Sequence, residues 1–424
     1  MTSSRGIYLV GGSVRDELLG MKPKDYDYVV VGYTVEEFLA EHPDAKLIGQ
    51  SFPVFMEKGV DGVVREYAFA RTERKVSAGH NGFDVTFDPS VTLYDDLARR
   101  DLTINAMAKA SDGSIVDYFG GQKDLSNRVL RHIGPAFAED PLRVYRLARF
   151  ASILGFQVAQ ETVSLCWTMS AELTTLSAER VCAESRRVMR ESQAPRVYFD
   201  TLLACGALGA WHHELLALVG VPAGPPKHHA ELDAYVHTMM SLDAFDTPTP
   251  DVREGFGGTD ALEILRWAVL LHDLGKGVTP KEDWPSHHNH DSLGVPVVEK
   301  FCDRLRLPKN IKKAAVCACA EHMRVHALCE MRATKWVDIV QAAEKTELGA
   351  AGLAAVCMAD SFGRISAEPT DISGPRALSA IIDTVQEETG HPIPQALTGK
   401  HIGLHIRARK ASAAKRKLKE LGLL

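Results

Sequence analysis

Apolar and polar positions fall in short runs over the first third of the chain and lengthen into helical spacing beyond it. Ile7-Tyr8-Leu9-Val10 is a brief apolar run that stops at Gly11-Gly12. The mixed stretch from Val14 to Leu19 predicts a short helix ending at Gly20. Asp27-Tyr28-Val29-Val30-Val31 is β-branched and bounded by Gly32, which predicts a buried strand. Residues 35–41 predict a second short helix. Val54 to Met56 and Val63 to Arg71 predict further strands, the second alternating apolar with polar. From about 136 onward the strand pattern stops. Leu142 to Leu154, Ala159 to Met169, Ala178 to Glu191 and Arg196 to Leu203 all carry helical spacing. Gly/Pro-rich breaks lie at 219–226 and 247–259, and helical spacing resumes at Ala261. The pattern predicts an α+β chain: an α/β head over 1–135 and helical segments over 136–225, 226–350 and 351–424.

Composition narrows the class without naming a function. Hydrophobic residues make up 45% and charged residues 25%, as in ordinary globular proteins, so a disordered or collagen-like chain is excluded. The net charge of −6 excludes a wholesale basic coat. A local basic stripe remains: residues 400–424 hold eight Lys/Arg and one acidic residue, Glu420. Eight scattered cysteines without a CxxC pair read as reduced, mostly buried thiols. The N-terminal residues lack a signal-peptide pattern, and no run of about 18 apolar residues occurs. A cytoplasmic protein with no membrane span is expected.

Candidate chemistry first appears around Asp25 and Asp27. Residues i and i+2 of a strand share a face, with Cα atoms roughly 6–7 Å apart. Two such carboxylates can bracket divalent ions, and hard cations such as Mg²⁺ prefer oxygen ligands. D-x-D is also common in solvated loops. The context adds weight: Gly11-Gly12-Ser13 ends one strand and opens a helix, and Arg15 follows within a turn. Backbone N–H groups at such a turn can approach a triphosphate. A phosphate cradle beside a metal site is what phosphoryl transfer by two metals requires. Glu66, on a neighbouring predicted strand, is the candidate third carboxylate. Further on, Arg143, Arg146 and Arg149 recur on roughly one helix face behind Asp140-Pro141. They could clamp phosphates or form a solvated stripe, and an Asp–Arg pair can offer a mixed hydrogen-bonding edge to a base.

The segments LVGGSVRDELLG, KDYDYVVVG, RRDLTINAM and EDPLRVYRLARF closely resemble the class II tRNA nucleotidyltransferases, the bacterial CCA-adding enzymes. The resemblance covers residues 7 to about 150 in the family's order. It implies a polymerase-beta-like nucleotidyltransferase head, a neck, a body and a tail, the last two gripping the tRNA acceptor arm. It implies Mg²⁺ on Asp25 and Asp27, and phosphate contacts from Gly12 and Arg15. Arg100 with Asp101 would recognise the ribose. Asp140 and Arg143 would template the base of CTP or ATP, with Arg146 and Arg149 lining the same pocket. Bacterial poly(A) polymerases share the head, but typically carry a basic segment where this chain has Leu47 to Phe55. The basic C-terminal stretch leans toward the polymerase.

A second constellation lies in the helical part. His272-Asp273 ends a Leu/Val-rich stretch, and Ser286-His287-His288-Asn289-His290-Asp291 follows. Imidazole and carboxylate together suit a transition metal. The region from about 228 to 330 resembles the HD phosphohydrolase domain fused to some CCA-adding heads. That resemblance implies a transition metal such as Ni²⁺ on His272 and Asp273, with His237 and His322 as further ligands. It also implies removal of 2′ or 2′,3′-cyclic phosphates. His322 is followed by Met323 where the subgroup carries Asp, so His287, His288 or His290 would have to supply the missing ligand. Three readings therefore stand: a nucleotidyltransferase acting on tRNA, CTP and ATP, as monomer or homodimer; a metal-dependent phosphohydrolase with a nucleotide-binding head; and a non-catalytic RNA-binding protein.

Overall fold

The computed structural model describes residues 5–48, 53–59, 61–75, 83–227, 229–231, 233–246, 258–366, 369–387 and 398–424. The chain divides into two compact units, Met1–Ser177 with Ala204–Ala207, and Ala178–Leu203 with Leu208–Leu424.

The first unit is built on strands β1 (Gly6–Val10), β2 (Tyr26–Val31), β3 (Lys46–Leu47), β4 (Val54–Lys58), β5 (Val64–Phe69), β6 (Arg71–Lys75), β7 (Phe83–Phe87), β8 (Met107–Lys109) and β9 (Ile115–Asp117). Seven of them form one sheet in the order β3-β4-β5-β2-β1-β8-β9. β2 runs antiparallel to β1 and parallel to β5. Parallel neighbours need a crossover rather than a hairpin. The chain between them supplies a helix and the antiparallel pair β3–β4. The first unit's helices are α1 (Gly12–Leu18), α2 (Val35–Glu41), α3 (Leu93–Ala98), α4 (Gly121–Ser126), α5 (Leu142–Leu154) and α6 (Gln160–Thr168).

Side chains alternate across a strand, so β2 feeds two cores. Val29 and Val31 join Tyr8, Val10, Leu93 and Leu97 on one face. Val30 joins Phe38, Phe55, Tyr67 and Phe69 on the other. Phe38 is the fully buried contact of α2, its ring centroid 5.3, 5.4 and 5.6 Å from those of Phe55, Tyr67 and Phe69. α2 starts on a reciprocal cap between Thr34 and Glu37.

Two local expectations change. The strand expected over Val63–Arg71 is two strands: β5 stays in the large sheet, while β6 leaves it to pair with β7. Beyond 136 a two-residue strand, Gln157–Val158, does occur and pairs with Val129–Leu130. A strand of two residues is too short to show alternation in sequence.

Asp101 ties α5 to the segment before β8. Its Oδ1 accepts from the Leu102 N–H at 2.9 Å and from Asn105 Nδ2 at 3.0 Å, and its Oδ2 from Arg146 Nε at 2.8 Å. Burial alone would raise the Asp101 carboxyl, but Arg146, the Asn105 amide and Arg143 outweigh it and hold it at about 2.

The second unit is helical: α7 (Ala178–Glu191), α8 (Arg196–Ala204), α9 (Leu208–Trp211), α10 (His213–Leu216), α11 (Ala234–Asp246), α12 (Thr259–Leu271), α13 (His290–Arg304), α14 (Lys309–His326), α15 (Ala333–Ala343), α16 (Gly349–Phe362), α17 (Ser373–Glu387) and α18 (Lys400–Glu420). Trp267 and Trp336 are buried in it. One buried cation stands out on α12. Arg266 is 1% exposed, and bonds Asp246 Oδ1 at 2.9 Å, the Met189 carbonyl at 2.7 Å and the Ser192 carbonyl at 2.8 Å. The two carbonyls lie at the C-terminal end of α7, where helical partners run out. The guanidinium thus joins α7, α11 and α12. Among the described residues no helix is long and apolar enough to cross a membrane.

Arg266→Met leaves a buried carboxylate and two helix-end carbonyls without their partner. It should lower stability by about 3–5 kcal/mol in urea unfolding followed by ellipticity; a change below about 1 kcal/mol would show that the cluster does not hold the helices.

Asp101→Asn tests the other buried pair. A carboxyl depressed in the folded state contributes stability above its unfolded pKa and loses it as pH falls through the folded one. The wild-type advantage over Asp101→Asn should be about 2–3 kcal/mol and constant above pH ~4, then shrink as the pH falls toward 2. A pH-independent difference would contradict it.

Candidate functional site

In the head, the chain leaves β1 through Gly11, whose φ of 70° suits glycine. A Cβ there would also stand 2.8 Å from Arg100 Nη1, so the guanidinium lies over the turn. Ser13 ties this turn to the start of β2: its Oγ donates to the Asp25 carbonyl at 2.9 Å and accepts from the Asp27 N–H at 3.4 Å. The glycine turn and the D-x-D pair are thereby joined.

Asp27 stands in register with Glu66 on the parallel strand β5. Register partners on adjacent strands share a face, and Asp25 lies two residues before Asp27, just ahead of β2. Asp25, Asp27 and Glu66 are all exposed to solvent. The Asp27 carboxyl is nonetheless raised, chiefly by desolvation and further by Asp25, with Arg100 opposing. The Glu66 carboxyl is raised by desolvation and then by Asp27 and Asp25. Carboxylates that raise one another are a donor set that a cation relieves.

The arginines around this face are braced. Arg15, 9% exposed, donates to Asp16 Oδ1 at 2.9 and 2.7 Å and to Asn105 Oδ1 at 2.8 Å. Arg100 donates to Asp96 Oδ2 at 3.1 Å and to the Asn105 carbonyl at 3.4 Å. Arg143 donates to the Ala136 and Arg99 carbonyls at 2.7 and 2.5 Å. Asp140 Oδ1 accepts from the Leu142 N–H at 3.1 Å, fixing the first turn of α5. The arginines of α5 do not form one exposed stripe. Arg143 and Arg146 are half-buried, while Arg149 is buried with its guanidinium 4.2 Å from the centre of the Phe150 ring. Gly49 to Phe52, within the stretch that separates the two related head families, lies outside the described residues.

In the helical unit, α12 ends at His272-Asp273 and the chain turns at once through Gly275. A Cβ on Gly275 would overlap the His290 carbonyl, and Gly294 lies against the same spot. This glycine contact lets α13 approach closely enough to carry His290 to Asp273. His290 Nε2 and His322 Nε2 lie 3.2 and 3.5 Å from Asp273 Oδ1. His237 Nε2 and His272 Nε2 lie 3.6 and 3.4 Å from Asp273 Oδ2. Asp360, from α16, places Oδ1 3.0 Å from His237 Nε2 and 3.9 Å from His272 Nε2. His272, His290 and His322 each present Nδ1 to a backbone carbonyl, so Nδ1 carries the hydrogen and Nε2 carries the lone pair when neutral.

Buried charge here is heavily compensated. Burial would raise Asp273, but Lys276, 2.7 Å away, and His272 hold it well below the usual range. Burial would likewise raise Asp360, but Arg364 and His326 hold it well below. Burial pushes His322 down to about 4, against the pull of Asp273. Three buried atoms of the cluster still lack a hydrogen bond: His237 Nδ1, His272 Nε2 and Asp273 Oδ1. Orphaned imidazole and carboxylate atoms that converge within a buried pocket fit a transition metal.

All four expected helical-unit residues, His237, His272, Asp273 and His322, come together, and His290 and Asp360 join them. Met323 is 42% exposed and takes no part. The carboxylate looked for beside His322 is instead Asp360, in the segment read from sequence as tail. Asp360 is the one charged residue in α16, an otherwise apolar helix, and that was the signal available for it. Of the other loop histidines, His287 bonds Thr279 Oγ1 and the Pro222 carbonyl, both at 2.6 Å, and His288 is exposed.

Comparison with known proteins places both units. The Poly A polymerase head domain family matches residues 7–131, and the HD domain family matches 249–349. A protein of Hahella chejuensis named Multifunctional CCA protein is 42% identical over 421 residues, covering 96% of this chain and 94% of its own. One of the same name from Pasteurella multocida is 44% identical over 374 residues, 86% of each chain. Among solved structures, a CCA-adding enzyme with ATP superposes with a TM-score of 0.64 at 21% identity, covering 98% of this chain and 89% of that one. The Thermotoga maritima CCA-adding enzyme complexed with tRNA gives 0.60 at 20%, covering 98% and 91%. At those identities the likeness establishes the fold. The sequence relatives, alike over nearly the whole length, go further: the chain belongs to the family of multifunctional CCA proteins.

Proposed function

We propose that this chain adds C, C and A to the 3′ end of tRNA from CTP and ATP, without a nucleic-acid template. The observation that carries this reading is the register setting Glu66 beside Asp27, with Asp25 near enough to raise both carboxyls and tied to the Gly11-Gly12-Ser13 turn. The three carboxylates suit Mg²⁺, which, when bound, would lower the pKa of the attacking hydroxyl and offset charge on the α-phosphate. The chain's own groups position the reactants. Gly12 and Arg15 hold the triphosphate, and Arg100, with Asp101 behind it, reads the ribose. Asp140 and Arg143 offer the base an acceptor and donors, and Arg146 and Arg149 line the same pocket. The bracing of these arginines by backbone carbonyls and buried carboxylates supports a rigid template rather than a flexible clamp. The poly(A) polymerase reading shares the head, but the near full-length relatives carry the CCA name.

The helical unit is a second active site in this proposal, hydrolysing 2′ and 2′,3′-cyclic phosphate esters. His237, His272, Asp273 and Asp360 would hold a transition metal such as Ni²⁺, which would activate water against phosphorus. The basic helix α18 would grip the acceptor arm of tRNA. Free thiols at all eight cysteines, seven of them buried, support action in the reducing cytoplasm.

Asp25→Ala or Asp27→Ala should cut CMP and AMP incorporation into tRNA lacking its 3′ end by about 1,000-fold or more, since metal stabilisation of developing charge supplies several kcal/mol. Affinity for tRNA should barely change. Wild-type incorporation in either variant would sink the assignment.

His272→Ala combined with Asp273→Ala should abolish hydrolysis of 2′,3′-cyclic nucleotides assayed with Ni²⁺, Co²⁺ or Mn²⁺. Nucleotide incorporation should stay within about twofold, because the two sites share no residue. Wild-type protein that hydrolyses nothing above background with any of these ions would leave only the first activity.

A further inference from the structure

We infer that the 3′-terminal strand of the RNA acceptor crosses the sheet face beyond Glu66, lying on Met56 and Val64 with its phosphates on Lys46 and Lys58. The inference rests on the reading of the head as a nucleotidyltransferase acting on tRNA, and gives the acceptor strand a path within it. The strand registers set Lys46 opposite Met56, Met56 opposite Glu66, and Glu66 opposite Asp27. Register partners share a face, so one row of side chains runs from the edge strand β3 to β2. A second row on the same face sets Lys58 opposite Val64, two residues along from Met56 and Glu66. The other face of these strands is filled by Phe55, Tyr67 and Phe69 packed with Phe38. The face of the two rows meets solvent: Met56 is 37% and Val64 44% exposed, and Lys46, Lys58 and Glu66 are exposed with them.

The chemistry gives the path its direction. In an in-line displacement at the α-phosphate, the attacking oxygen enters opposite the departing pyrophosphate. The cradle proposed for the triphosphate, the Gly11-Gly12-Ser13 turn with Arg15 and Arg100, follows β1. In the sheet order, β1 lies on one side of β2, while β5, β4 and β3 lie on the other. A pyrophosphate held at the β1 side therefore requires the attacking hydroxyl to arrive from the β5–β4 side, where Glu66 is the outermost of the three carboxylates. With strands about 4.8 Å apart, Met56 stands about 10 Å and Lys46 about 14 Å from Asp27, a span that matches the last few nucleotides of a strand ending at the carboxylates.

The side chains suit a terminus that changes as it grows. Successive additions present different last bases, so the platform beneath them has to accept any base. Met56 supplies a flexible, polarisable thioether that contacts aromatic rings favourably, and every base offers a ring face. It brings no strong hydrogen-bonding group that would prefer one base. Lysines are point charges on flexible stems, suited to phosphates, which position a strand without reading its sequence.

The test uses the full-length protein and tRNA lacking its 3′ CCA. Such a tRNA ending in 4-thiouridine should cross-link on irradiation to β4 or β5. Met56→Asp sets a carboxylate in the path, and kcat for CMP incorporation should fall about 10- to 100-fold through misplacement of the hydroxyl. The KM for CTP should stay within about twofold, because the nucleotide is held on the other side of Asp27. Leu47→Asp is the control on the same edge of the sheet: Leu47 stands opposite Phe55, on the other face, and its replacement should change neither constant. Lys46→Gln with Lys58→Gln should flatten the dependence of log Kd for tRNA on log salt concentration by about 1.4, the value for two single-strand phosphate contacts. Cross-links confined to other segments, an unaltered salt slope, or unchanged incorporation by Met56→Asp would overturn the path and leave CCA addition by the wild type standing. A wild-type protein that cross-links this RNA through β4 or β5 yet incorporates no nucleotide would overturn the CCA reading and leave the path.

Discussion

Carboxylates repel one another and lose solvation when gathered, and both units are arranged around that electrostatic penalty. In the head, Asp27 and Glu66 share one sheet face with Asp25 just ahead of it, and Asp27 and Glu66 are each shifted toward protonation. The fold tolerates this because the sheet beneath is packed on both faces and cannot relax to separate them. Arg100 offsets part of the charge and lies over the glycine turn. In the helical unit, Asp273 and Asp360 are buried outright. There Lys276 and Arg364 supply the compensation, at 2.7 and 2.8 Å. The first arrangement is open to solvent and suits hydrated Mg²⁺ with a nucleotide. The second is closed and lined with imidazole, which suits a softer metal.

Around these charges the chain uses arginine as a structural element more than as a surface charge. Arg143, Arg146 and Arg15 each spend donors on protein acceptors, and Arg266 closes the end of a helix from inside the core. A planar guanidinium with several donors can satisfy converging carbonyls and a carboxylate at once, which lysine cannot. The result is rigidity in the arginines proposed to read a nucleotide's base and ribose. A template made of protein needs its donors held in place, since discrimination between bases rests on one or two hydrogen bonds of correct direction.

Much of the head was legible along the chain. Runs of β-branched residues, the glycine turn, the D-x-D spacing and the short helix over 35–41 are local features, set by chain geometry within a few residues. The helices α5 and α7 match their periodic spacing end to end. The strand over Val63–Arg71 was legible as extended chain, but its division between two sheets was not, because alternation says nothing about which neighbour a strand pairs with. Met323 illustrates the opposite hazard. A missing motif residue suggested a missing ligand, whereas a carboxylate that could serve, Asp360, stands on a different helix.

By itself the sequence determined which groups are adjacent: Asp25 with Asp27 two residues apart, His272 with Asp273, and Gly11-Gly12 ahead of Ser13 and Arg15. Covalent spacing enforces these whatever the rest of the chain does. Only the tertiary structure decided that Glu66 stands beside Asp27, since that needs a parallel pairing across a crossover. Only it decided that His237, His290, His322 and Asp360, carried by four different helices, converge on Asp273. It also turned Arg143 toward carbonyls and Met323 toward solvent. Each of these depends on packing between distant segments, where burying apolar surface selects the partner and the polar side chains follow.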